Sequence, residues 1–435
     1  MKSRTIVAPM LGAALALVVA TGCSEPAPDS TGAHAAPTTV VAGCSPTQLL
    51  ECAGESTLAD YVPAKKTTAT GAPITLGMVN QENTPAASFP ELTKATQAAV
   101  DWVNDELGGV DGHPIELETC NTKFSAEGST ACGQQFVEAK VPAVLGGIDV
   151  FGNSIDVLEA NDIPFVGGIP VSNQSAVNKN SFQFSGGTWG SAIAFADYAA
   201  RTLHAKKVAV IYAEFGSISQ SAEFAEKVLK DHGVTAQMIP YPVLATDLSS
   251  ALEAAAAAEP DAMLVLAADS GCKAGFDGVA ALELTAQTFY VGACAAPTIL
   301  DSVPAAETDG TIVNVEGPVT STNPDVDTTL YSAVIAKYGD GIDAASAGTV
   351  TFRSFMNLYM VLRDLGADDI TPAAIMNAFR VKVDAPSFMG HPYTCDGKQL
   401  ADLTALCSPQ QILAKIRDRR LTQLGSWIDV GTIYR

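Results

Sequence analysis

Apolar and polar positions alternate along most of this chain in the rhythm of strand followed by helix. The run Ile74-Thr75-Leu76-Gly77-Met78-Val79 has strand length and is β-branched at its start. A polar loop follows, Asn80-Gln81-Glu82-Asn83-Thr84-Pro85, with the Asn and Pro of a turn. A helix is predicted next, with Ser88 as N-cap, Glu91 as its capping-box partner and Pro90 in the first turn. Its apolar positions are Leu92, Ala95, Ala99, Trp102 and Val103, and Gly108-Gly109 stops it. Strand, loop and capped helix open a parallel α/β unit, which binds ligands at the carboxyl ends of its strands. The loop from Asn80 to Ser88 is therefore the first candidate ligand-facing surface.

The rhythm continues. Strands are predicted at 115–119, 143–146 and 163–166, with helices at 126–138 and 154–160 between them. A second half begins near Trp189, with helices at 191–203, 219–232, 248–258 and 273–284. Its strands are predicted at 207–212, 234–239, 262–266, 288–291 and 311–315. Helices follow at 327–338, 345–365 and 371–379, then a short strand-and-turn region to Arg435. Strands separated by helices of this length make parallel sheets covered on both faces. The expected fold class is α/β, with two doubly wound parallel-sheet lobes.

Composition sharpens this picture. A chain of 435 residues suits two or more domains at about 150 residues each. The formal charge of −22 argues against nucleic acid, which is held by Lys and Arg on phosphates. Lys2 and Arg4 precede an apolar stretch, Ile6 to Ala20, too short for a transmembrane helix, so 1–22 reads as a signal peptide. Val19-Ala20-Thr21-Gly22-Cys23 resembles a bacterial lipobox, with Cys23 as the lipidated residue. Ser24 to Thr39 then reads as a tether, and Cys44 to Lys66 as an irregular cap, so that 23–72 is anchor, tether and cap. Eight further cysteines in an exported chain point to disulfides. Sequence leaves their connectivity open. Pairing of neighbours gives Cys44–Cys52, Cys120–Cys132, Cys272–Cys294 and Cys395–Cys407, each contributing about 2–4 kcal/mol.

Signals for chemistry are poor. The chain has no Gly-x-Ser-x-Gly elbow, no phosphate-binding loop and no metal-ligand spacing, and its five histidines are scattered. No enzymatic activity, cofactor or metal is expected. The strand-end loops carry more, among them Gly146-Gly147-Ile148-Asp149, Gly167-Gly168-Ile169-Pro170, Glu214-Phe215-Gly216 and Ala268-Asp269-Ser270. Glycines there serve equally as turns or as places where backbone approaches a ligand.

Several stretches together resemble the leucine/isoleucine/valine-binding family, the type I solute-binding proteins of ABC importers. They are Ile74 to Met78, Ala99-Val100-Asp101-Trp102-Val103-Asn104, Leu107 to Gly112, His113-Pro114-Ile115-Glu116-Leu117, Val144-Leu145-Gly146-Gly147, Asn161 to Phe165 and Val208 to Tyr212. The resemblance implies a hinge of three crossings and ligand trapped between the lobes. It puts lobe 1 at 73–188 and 317–408, and lobe 2 at 189–316 and 409–435. It also implies an ABC permease and ATPase as partners, a monomer, and a place on the outer face of the bacterial membrane, held by the lipid anchor alone.

The departures bear on the ligand. Family members that bind amino acids hold the carboxylate with Ser and Thr hydroxyls, where this chain has Ile148-Asp149-Val150 and Ile169-Pro170-Val171-Ser172. They hold the ammonium with an Asp and a Glu, near whose positions stand Trp189 and Cys294-Ala295. Asp149, Glu214 and Asp269 are the candidate substitutes. The expected ligand-binding residues are Trp189, Phe215, Asp149, Asn80, Gln81, Ser172, Asp269 and Ser270, with Phe89, Phe151 and Tyr241 as possible further walls. A compact apolar or aromatic ligand is expected. A branched-chain amino acid is the alternative, and a sensor feeding a membrane receptor is the alternative of another class.

Overall fold

Two sheets, each wrapped by helices, carry the molecule. The structure, a computed structural model, describes residues 43–84, 88–243, 245–267, 269–319 and 324–435. The signal segment, Cys23 and the tether over 24–39 lie outside the described residues, as do residues 85–87 of the first polar loop.

The first sheet comprises β1 (Ile74–Asn80), β2 (Ile115–Asn121), β3 (Val144–Gly146), β4 (Phe165–Val166) and β5 (Ser181–Phe182). Its order is β2-β1-β3-β4-β5, with every pair parallel. Its helices in chain order are α1 (Leu49–Ala53), α2 (Pro90–Glu106), α3 (Ala126–Ala139), α4 (Asn153–Glu159) and α5 (Asn173–Val177). The chain then enters the second lobe through α6 (Gly187–Asp197), which ends in a π-helical turn at Tyr198–Thr202.

The second sheet contains β6 (Lys207–Ala213), β7 (Thr235–Tyr241), β8 (Ala262–Leu266), β9 (Gln287–Tyr290) and β10 (Ile312–Val315). An antiparallel hairpin, β11 (Ile412–Arg417) and β12 (Arg420–Gln423), completes it in the order β12-β11-β10-β9-β8-β6-β7. The connecting helices are α7 (Gly216–Asp231), α8 (Ser249–Ala256), α9 (Asp269–Ala281), α10 (Pro297–Ser302) and α11 (Ala305–Thr308). Between β10 and β11 come α12 (Val326–Tyr338), α13 (Gly348–Leu365) and α14 (Pro372–Val381), and α15 (Val430–Ile433) closes the chain. Among the described residues no helix is long and apolar enough to cross a membrane.

Packing explains the layers. One face of the first sheet shares a core with α2, α12 and α13 through Leu76, Met78, Leu92, Trp102, Phe355 and Tyr359. The other face packs Val79 and Val144 on Phe136 of α3 and on Ile155 and Leu158 of α4. Gly77 is where the sheet meets Phe136, since a Cβ there would stand 2.8 Å from the ring. The second sheet has one continuous core running from Trp189 to Tyr434.

Most predicted elements lie within a few residues of the observed ones, and the differences are instructive. Helix α2 starts after Phe89 rather than Ser88, and Phe89 makes no side-chain cap. The Ser88 hydroxyl instead accepts the Asn83 N–H at 3.0 Å, tightening the polar loop before the helix begins. Helix α6 starts four residues before the predicted Ser191. The N-terminal cap is not irregular: it contains α1 and buries Leu49, Cys52, Ala53 and Leu58 in the first lobe's core. Its backbone and hydroxyl at Thr57 both donate to Asp327 of α12, and the Tyr61 hydroxyl donates to Asp364 of α13 at 2.8 Å. The four disulfides join the neighbouring cysteines, as the simplest pairing has it.

Three stretches of chain cross between the lobes side by side, at residues 183–186, 316–319 and 405–411. Gln183 pairs with Leu406 as a parallel bridge, which ties the first crossing to the third. The Ser185 hydroxyl donates to the Glu316 carboxylate, which ties the first to the second. Asn314 donates to Gln411 at 3.1 Å, which ties the second to the third.

Candidate functional site

The loops at the carboxyl ends of β3 and β4 in one lobe meet the loop after β6 and the start of α7 in the other. The loops that follow these strands form the seam between the lobes. From the first lobe come Ile148, Val150 and Phe151 after β3, and Ile169, Pro170 and Val171 after β4. From the second come Glu214 and Phe215 after β6 and Ser217 in the first turn of α7. The lobes touch directly there. Phe151 meets Phe215 edge to face with ring centroids 6.1 Å apart, and the Ser217 hydroxyl donates to the Val171 carbonyl. Gly187 has φ of +55°, and any Cβ on it would fall on the Pro170 carbonyl. Only glycine allows the first crossing to lie this close to the loop after β4.

Most of the polar residues expected to bind ligand are engaged within their own lobe. Asn80, buried at the end of β1, donates to the Phe89 carbonyl at 2.8 Å and to Thr93 at 3.0 Å, and accepts the Ile148 N–H at 3.1 Å. It is a knot joining two loops to α2. Gln81, also buried, accepts the Phe89 N–H on its backbone carbonyl at 3.1 Å. Ser172 caps α5 in a reciprocal box with Ser175. Asp149 is buried and accepts from Ser129 and Ser154 at 2.6 Å each and from the Gly152 N–H at 3.1 Å. Its carboxylate fixes the turn that leads into α4 and is not offered to a ligand. Asp269 and Ser270 open α9, and their side chains lie outside what the structure describes.

The aromatic expectations divide. Phe215, half-buried, reaches across the seam. Trp189 is 0% exposed in the second lobe's core, with its indole N–H donating to Gln220 of α7 at 2.8 Å. Phe89 packs on the first lobe's core, and Tyr241 is buried at the end of β7. Replacing Asp149 with Ala is expected to destabilise the protein by about 1–3 kcal/mol, because two serine hydroxyls and an N–H lose their buried acceptor. Urea unfolding would show this. The folded variant should keep its ligand-induced thermal shift, and loss of that shift alone would return Asp149 to the binding surface.

Sequence reasoning missed the charged pair at the second crossing. Arg353 projects from α13 and is 2% exposed. Its guanidinium donates to the Glu316 carbonyl in the second crossing and stands 3.7 Å from the Glu316 carboxylate. Burial pushes the Glu316 carboxyl above the usual range, with Arg353 and the Ser185 hydroxyl opposing it. Burial likewise lowers the Arg353 guanidinium from its usual value, with Glu316 opposing. One signal was present: Arg353 is the only charged residue in the apolar run from Val350 to Leu362.

Two surface cavities of about 350 and 400 Å³ lie elsewhere, against Ile74 and Val141 at the far end of the first sheet and against Phe182 and Arg380 at its edge. Among the described residues no group of acidic, His or Cys side chains gathers to hold a metal ion.

Two α/β lobes, joined by three adjacent crossings and meeting through apolar strand-end loops, define a bilobal small-molecule binding protein. The chain belongs to the periplasmic binding protein family, whose model matches residues 73–402. It is thus an extracytoplasmic ligand-binding protein of the periplasmic type rather than an enzyme. No curated protein matches the chain in sequence. Among solved structures, a possible leucine/isoleucine/valine-binding protein from Rhodopirellula baltica is similar with a TM-score of 0.71 at 13% identity, over 82% of this chain and 98% of that one. The branched-chain amino acid transporter substrate-binding protein of Streptococcus pneumoniae, solved with isoleucine, gives 0.68 at 14% identity, over 82% and 100%. A fatty acid ABC transporter substrate-binding protein from Thermomonospora curvata gives 0.68 at 17% identity, over 85% and 97%.

Proposed function

We propose that this chain is the capture component of an ABC importer, anchored through lipid on Cys23, that closes on a compact apolar or aromatic molecule with few charges. The composition of the seam carries this reading. Its loops bring Phe151 to Phe215 and Ser217 to Val171, while Asp149, one of the three acidic candidates to hold a ligand amine, is spent on three donors of its own lobe. Apolar walls with few polar groups suit a ligand held by shape and burial. The relative from Thermomonospora curvata is described as a fatty acid binder, so the fold accommodates apolar cargo.

A branched-chain amino acid is the second reading, favoured by the relative solved with isoleucine. A thermal-shift screen of the chain from Ser24 separates the two. A ligand at 100 times its dissociation constant stabilises by about 2.7 kcal/mol. Stabilisation by neutral aromatic or aliphatic compounds and not by leucine, isoleucine or valine is the expected result. Stabilisation by those amino acids would mean that the clamp for the α-amino group survives in another form.

A further inference from the structure

Three phenylalanines stand at the carboxyl ends of strands without belonging to the interior of either lobe. Phe124 follows β2 and Phe151 follows β3, both in the first lobe, and Phe215 follows β6 in the second. Each is half-buried, and among the described residues none of the three packs into a hydrophobic core of either sheet. Phe124 and Phe151 meet edge to face, with centroids 5.6 Å apart and planes at 71°. The two rings make a corner on one lobe. Phe151 also meets Phe215 across the seam at 6.1 Å and 85°.

The backbone fixes this corner within the first lobe. Lys123 and Phe124 have φ of +54° and +51°, a conformation that L residues with large side chains rarely adopt. Asn121 braces the turn, accepting the Lys123 N–H at 2.8 Å and the Glu82 N–H at 3.1 Å and donating to the Glu82 carbonyl at 2.8 Å. Ser125 then caps α3 by accepting the Gly128 N–H at 2.9 Å. An apolar residue just before an N-cap often packs on an apolar side chain at the fourth helical position. That position is Ser129, whose hydroxyl donates to Asp149, so the helix start makes no such use of the Phe124 ring. Strain held in place by neighbouring groups is found at ligand clamps.

We propose that Phe124 and Phe151 form an aromatic corner on the first lobe that receives a planar aromatic ring of the ligand, with Phe215 as the wall the second lobe adds on closing. This rests on the reading above of an apolar or aromatic cargo and narrows it to the aromatic class. A flat ring in the corner lies face to one wall and edge to the other, and gains ring–ring attraction beyond the area it buries. A saturated ring of the same size gains the area alone. Because the brace at Asn121 sets Phe124 in place within one lobe, binding does not have to order it.

Thermal-shift titrations of the chain from Ser24 with two matched pairs test this: benzamide against cyclohexanecarboxamide, and phenol against cyclohexanol. The aromatic member of each pair should bind about two- to tenfold tighter, the worth of one ring–ring contact in affinity. Phe124→Leu keeps apolar bulk at the corner, so it should erase the preference while the saturated members bind as before. Phe151→Leu should do the same, and it carries the test if the first variant does not fold. Equal binding within the pairs, or a preference that survives the substitutions, would overturn the corner. So would an absence of stabilisation by both aromatic members. Stabilisation by the saturated members alone ends the corner and leaves the apolar cargo standing, whereas stabilisation by leucine, isoleucine or valine alone ends both.

Discussion

Arg353→Met is expected to lower the free energy of unfolding by about 3–5 kcal/mol, the usual cost of breaking a buried ion pair from one side. Methionine fills much of the space of the arginine stem but leaves Glu316 without its cation and the Glu316 carbonyl without its donor. The pH dependence identifies the cause. Burial already holds the Glu316 carboxyl above the ordinary range with Arg353 present, and removing Arg353 takes away the attraction that opposes this. A carboxyl whose folded pKa lies above its unfolded one has its full stability at acid pH and loses it as pH rises through the folded value. The deficit of the variant should therefore be smaller at acid pH, where Glu316 is protonated in both states, and grow toward neutral. Arg353→Met/Glu316→Gln should regain much of the loss, because burying two neutral groups avoids the desolvation of the charges. Urea unfolding of the wild type and the two variants at two pH values checks this. A loss that does not change with pH would reduce Arg353 to a packing residue.

Trp189→Ala should also cost about 3–5 kcal/mol of stability, the range for truncating a buried aromatic ring. The indole lies wholly inside the second lobe's core, and its loss would leave a cavity between α6 and α7 and Gln220 without its donor. Trp189→Phe separates the two contributions. It keeps most of the ring volume and should cost about 1 kcal/mol, the net worth of one hydrogen bond, because half-buried Gln220 can turn to water. Sequence alone placed Trp189 at the ligand, where the alanine variant would cost binding. The structure moves that cost to folding. A folded Trp189→Ala protein with unchanged unfolding midpoint and weakened ligand response would restore the first view.

The same contrast runs through the molecule. The polar loop at Asn80, the glycines after β3 and β4 and the aromatic at 215 are where a parallel α/β chain exposes backbone and side chains, so sequence pattern pointed to strand-end loops, of which those after β3, β4 and β6 meet between the lobes. It did not find what each side chain does there. Ser172 and Asp149 carry the residue types of N-caps and of ligand contacts alike, and only the positions of Ser175, Ser129 and Ser154 decide between the two uses. Phe124 gave no signal of its own, because a phenylalanine after a strand reads as core unless its backbone conformation is known.

What the chain determined locally is the succession of strands and helices and the glycine stops, and what it favoured is the pairing of cysteines 8 to 22 residues apart. These follow from hydrophobic period, capping chemistry and short loop closure, all of which act over a few residues. What tertiary structure decided is everything that joins distant segments. Thr57 meets Asp327 across 270 residues, Arg353 meets the crossing at Glu316, and Phe124 lines up with Phe151 and Phe215 through the order of strands in two different sheets. No local period encodes strand order or the angle between lobes. Those depend on which apolar faces bury each other, so the residues at the seam acquire their roles only when both sheets are in place.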